Sequence, residues 1–84
     1  MKIKDGFELI NRGEQMGITS KEKPDMFIAV SEIAAFLWTL LAEKQATKSQ
    51  MLEATLNKFD ISTVLALGEI DLFLRMMREN EIIE

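Results

Sequence analysis

The hydrophobic pattern of the chain changes period once, near residue 30. In "GFELINRGEQMGITS", residues 6–20, Phe7 and Leu9 alternate with Glu8, and Met16 and Ile18 alternate with Gly17. A period of two sends successive side chains to opposite faces of a strand. "NRGE" between the two runs supplies a turn, in which Gly13 is free to take a positive φ. "SKEKPD", residues 20–25, is a second polar turn, and Pro24, which lacks an N–H, suits a loop or a strand start. "MFIAV", residues 26–30, is apolar throughout. This third strand must be covered on both faces or have one face waiting for a partner.

From Ser31 the period is helical, with Ser31 as the N-cap. Ile33, Ala34, Leu37, Trp38, Leu40 and Leu41 follow the spacing of one buried stripe, which places Trp38 in the core. Thr47 with Gln50 three residues later forms a capping box, after which Leu52, Leu56 and Phe59 line one face. "DIS" interrupts the pattern, and Ser62 caps a third helix running to about Asn80. Strands over residues 1–30 followed by three helices over residues 31–84 predict one α+β domain spanning 1–84. The expected architecture is winged-helix-like, a three-stranded antiparallel sheet followed by three helices.

The third helix is unusual. At about 100° per residue, its apolar positions cover roughly 220° of the wheel, whereas a core-facing stripe needs little more than about 100°. Ile70, Leu74, Leu67 and Met77 form one edge of this arc. Leu65, Leu72 and Met76 form the other, with Glu69 among them and Phe73 between the edges. Two readings fit: a central bundle helix packed on all sides, or a helix with one edge on the core and the other lining a groove for a partner. Glu69 either reaches solvent, pairs with a lysine of the sheet, or meets a basic or polar group of a bound peptide. Asp71 and Arg75, spaced i, i+4, read as a surface ion pair.

Composition narrows the chemistry. The 84 residues suffice for one modest core. The chain has no Cys and no His, which removes disulfides, the usual zinc sites, cysteine nucleophiles and Ser-His triads. Its four glycines form no phosphate-binding loop, and its acids are too scattered for a metal cage. Neither a cofactor, a metal nor catalysis is expected. The longest apolar run, "IAAFLWTLLA" at 33–42, is half a membrane span, and no secretory signal is visible, so a cytoplasmic protein is expected.

Three segments in order resemble the PqqD-like family, small peptide-binding proteins also called RiPP recognition elements. "VSEIAAFLWTLL", residues 30–41, is similar to the family's "LNexaaxIWxLL", with Val30 at the Leu, Ser31 at the Asn and Trp38 at the Trp. "TKSQMLEATLNKFDIS", residues 47–62, resembles "TveeLvexLxxxydvs", and "EIDLFLRMMRENEII", residues 69–83, resembles "DvxxFLxxLxxxGLi". The likeness covers residues 26–84. Departures are "AEKQA" in place of the usual Asp-Gly before the Thr, Glu69 at the family Asp, Met77 at a Leu, and Asn80 or Glu81 at the late Gly.

The resemblance implies a non-catalytic domain that binds the leader segment of a ribosomally made precursor peptide. The leader would add as a strand at the edge of the third strand, against the third helix, for delivery to a modifying enzyme such as a radical SAM maturase. The family's apolar positions map to Ile70, Phe73, Leu74 and Met77, the core edge. The expected peptide-binding residues are therefore Met26, Phe27, Ile28 and Ala29 on the strand, with Leu65, Glu69, Leu72, Phe73 and Met76 on the helix. A DNA-binding winged helix is the rival, but residues 62–81 carry Arg75 and Arg78 against Glu69, Asp71, Glu79 and Glu81, a net of −2 that repels nucleic acid. A second rival is a dimerisation module in which the same apolar edge pairs with its copy, as a homodimer.

Overall fold

The computed structural model describes residues 1–83. Three strands, β1 (Phe7–Arg12), β2 (Gln15–Ser20) and β3 (Ile28–Ala29), precede three helices, α1 (Glu32–Glu43), α2 (Lys48–Lys58) and α3 (Thr63–Glu79). The sheet is antiparallel in the order β1-β2-β3, so β2 is central and β3 is an edge. This is the expected α+β architecture.

Local chemistry sets the element ends. Gly13, with φ +69°, is the first of the two residues joining β1 to β2, the position a type II′ turn reserves for glycine. The side-chain oxygens of Ser31, Thr47 and Ser62 accept from the amides of Ala34, Gln50 and Leu65. Each cap satisfies a helix N–H that would otherwise lack a partner and contributes about 1 kcal/mol. The reciprocal bond from the Thr47 amide to Gln50 Oε1, at 2.9 Å, completes the capping box.

The core lies between one face of the sheet and the helices. Directly paired residues share a face, so Leu9, Ile18 and Ile28 point together toward the helices. Ile18, fully buried, meets Leu37, Trp38 and Leu41 of α1 and Ile70, Phe73, Leu74 and Met77 of α3 in one cluster. Trp38 is in the core as expected.

Three expectations need correction, and one long-range pairing is new. The third strand is paired only at Ile28 and Ala29, so Met26 and Phe27 precede it. On α2 the fully buried residues are Met51 and Thr55, while Leu52, Leu56 and Phe59 are half-buried. Thr55 tolerates burial because its hydroxyl donates to the Met51 carbonyl at 2.7 Å, and Phe59 instead meets Phe36 of α1 edge-on, ring centres 5.5 Å apart. Asp71 pairs with Lys48 of α2, at 2.6 Å, not with Arg75. Finally, the chain ends are joined. Ile3 bridges Ile83, and the Lys4 amide donates to the Ile82 carbonyl at 2.7 Å, a long-range pairing absent from the local pattern.

Candidate peptide-binding edge

The free edge of β3 presents the backbone groups of one residue. The Val30 amide donates to the Met16 carbonyl at 3.0 Å, which makes Met16 and Val30 a hydrogen-bonded pair. Such pairs alternate along an antiparallel ladder, so Ile18–Ile28 is the next and Gly17–Ala29 lies between them. The N–H and C=O of Ala29 therefore point away from β2, and Ala29 is exposed. Ile28, by contrast, turns its backbone toward β2 and its side chain toward the core.

Helix α3 carries the apolar surface. Val64, Leu65 and Leu72, 79%, 59% and 58% exposed, are the exposed large hydrophobic residues among those described, and all three lie on this helix. Leu65, Glu69, Leu72 and Met76 fall within about 60° of one another on the wheel. This stripe is about 16 Å long, the length of roughly five strand residues. Glu69 is half-buried within it and has no lysine or arginine within 4.0 Å among the described residues. Met76 is half-buried and leans on the core cluster, as do Met26 and Ile28. Met26 also shares the wall of a cavity of about 530 Å³ with Glu79 and Asn80, so the approach to β3 and the end of α3 border one depression.

Two of the nine expected site residues lie elsewhere. Phe73 is only 1% exposed and belongs to the core; the family's apolar position, not the edge of the wheel, describes it. Phe27 lies on the face of the sheet away from the helices. Its ring covers Gly17, where a Cβ would come within 2.8 Å of Cε2 and nearer still to Cζ. The Arg12 guanidinium stands 4.2 Å from the ring centre. Three residues of this surface escaped the sequence reading. Val64 lies off the stripe on the wheel. Gly17 did leave a signal, since a glycine inside a strand marks close approach of another group. Arg12 left none.

The family model described as Coenzyme PQQ synthesis protein D (PqqD) matches residues 19–83, from the second strand to the end of the described chain. The chain belongs to the PqqD family. Among solved structures, the PqqD-family chain is similar to TbiB1 in complex with the TbiA(beta) leader peptide. The TM-score is 0.77 at 17% identity, covering 100% of this chain and 95% of that one. This likeness extends the shared fold to the N-terminal hairpin, which the family match omits. A search of curated proteins finds no match. The late family glycine can now be placed. Glu81, with φ +55°, is the residue in the left-handed region, so Glu81 and not Asn80 stands where the family has Gly.

Proposed function

We propose that this PqqD-family domain, residues 1–84, captures the leader segment of a ribosomally made precursor peptide and presents it to a modifying enzyme such as a radical SAM maturase. The structurally similar TbiB1 was solved with a leader peptide. The features of this chain that carry the reading are an unpaired Ala29 edge on the sheet and an exposed apolar stripe on α3. A peptide added to the edge would exchange hydrogen bonds with Ala29 for affinity. Its alternate side chains, opposite Ile28, would point toward Leu65, Leu72 and Met76 for specificity. The exposed side of the stripe loses water on docking, which is the driving force. The protein acts by binding, without a cofactor.

The test is a fluorescence anisotropy titration. The labelled N-terminal half of any short open reading frame beside this gene is titrated with the protein. Saturable binding, lost on competition with unlabelled peptide, is expected; no binding by any such peptide overturns the proposal. Sedimentation of the free protein checks the rival in which the stripe pairs with a second copy. A monomer that binds peptide supports recognition.

A further inference from the structure

We infer that Phe27, seated on Gly17 beneath Arg12, is a positioning residue that holds the short strand β3 in register and so keeps the Ala29 edge ready for an incoming strand. The inference rests on the proposed function for its biological meaning, but its structural core is testable in the free protein.

The edge strand has little else to hold it. Only Ile28 and Ala29 are paired with β2, with one further bond from the Val30 amide to Met16. The preceding segment, residues 21–25, is an exposed turn containing Pro24. A strand this short opens easily, because few hydrogen bonds must break together. Side-chain anchors on both faces of the sheet compensate. On the core face the anchors are Ile28 and Val30. On the outer face the anchor is Phe27.

The outer anchor depends on two other residues. Gly17 is in the central strand, directly opposite Ala29, and its missing Cβ leaves the backbone bare for the ring. Gly17 has no positive φ, so its backbone conformation does not require glycine. What requires it is the ring. Arg12, at the end of β1, stands over the ring with its guanidinium 4.2 Å from the ring centre. The stack therefore ties all three strands: β1 through Arg12, β2 through Gly17, and the entry to β3 through Phe27. A peptide binding by strand addition selects the conformation in which β3 is paired, and its apparent affinity falls in proportion as that population falls.

The deciding measurement is amide hydrogen exchange in the free protein. Val30, whose N–H bonds to Met16, reports on β3; Leu37 and Phe73 report on the core. In Phe27→Ala, exchange at Val30 should rise about tenfold while the core amides change little. Gly17→Ala should do the same by evicting the ring. The double variant should be no worse than Phe27→Ala alone, because the alanine at 17 then has nothing to displace. Phe27→Tyr should restore protection. Unchanged Val30 exchange in Phe27→Ala, or additive effects in the double variant, overturns the inference. Binding of the labelled leader peptide should weaken by the factor by which the paired population falls, slightly where Val30 stays protected and about tenfold only where its protection is nearly abolished. Failure of the wild-type protein to bind that peptide would count against the proposed function and leave the exchange result standing. Normal binding by a variant in which the Val30 amide exchanges as freely as in an unstructured chain would overturn the positioning role.

Discussion

The amide of Ile82 donates to the carbonyl of Met77 at 2.8 Å, and both side chains are fully buried. Together with the Glu81 amide bonding to the Arg78 carbonyl at 3.0 Å, this closes α3 in a Schellman motif. The motif reverses the chain, so that Ile82 and Ile83 return to the core and meet the N-terminal segment.

The position between the two bonds is strained. Glu81 has φ +55°, a region costing a residue with a Cβ about 1–2 kcal/mol. Its negative charge also falls just past the C-terminus of α3, the negative end of the helix dipole. Glu81→Gly should stabilise the protein by about 0.5–1 kcal/mol, the gain reduced by the greater freedom of glycine in the unfolded chain. Thermal unfolding should shift upward by about 2–6 °C. Glu81→Val, β-branched at the same φ, should lower it.

The Lys48–Asp71 pair spans α2 and α3 at 2.6 Å, with its side chains 50% and 56% exposed. Water and salt screen a pair of that exposure, and fixing two side chains costs entropy. A double-mutant cycle with Lys48→Ala and Asp71→Ala should therefore return a coupling of only about 0.2–0.5 kcal/mol, vanishing in high salt. A coupling several times larger would show that the pair organises the α2–α3 contact.

The charge pattern predicts a negative result. With a net of −2 over residues 62–81, α3 lacks the cations that displace counterions from phosphates. A gel shift with a short duplex at low salt, the most permissive condition, should show no retarded complex.

How far the sequence determines this structure depends on the range of each interaction. The N-caps Ser31, Thr47 and Ser62 act within three residues of themselves, and their helices begin where the pattern places them. The hairpin around Gly13 is equally local. Pairings that join distant segments leave no local trace, so the Ile3–Ile83 bridge and the Lys48–Asp71 pair were invisible. Phe27 is an intermediate case. Its apolar character was plain, but its direction depends on a bare glycine two strand positions away on the neighbouring strand. The wheel of α3 separated the buried from the exposed edge, but it could not assign Phe73, which stands where the two meet.

Leu72 and Phe73 are neighbours in sequence with opposite environments, and this contrast gives the sharpest test of the site. Leu72 is 58% exposed and Phe73 only 1%. Leu72→Glu removes apolar surface that is already wet, so folding should change by about 0.5 kcal/mol or less. In the complex, the new carboxylate would be desolvated against an apolar peptide side chain, beside Glu69, and leader binding should be lost. Phe73→Ala, by contrast, leaves a cavity in the core cluster that holds Ile18, Leu37 and Ile70 and should cost about 3–5 kcal/mol, a large share of the stability of a small domain. The two effects are separated by measuring thermal unfolding and anisotropy on the same samples. A Leu72→Glu protein with wild-type melting and wild-type affinity would remove the α3 stripe from the binding site.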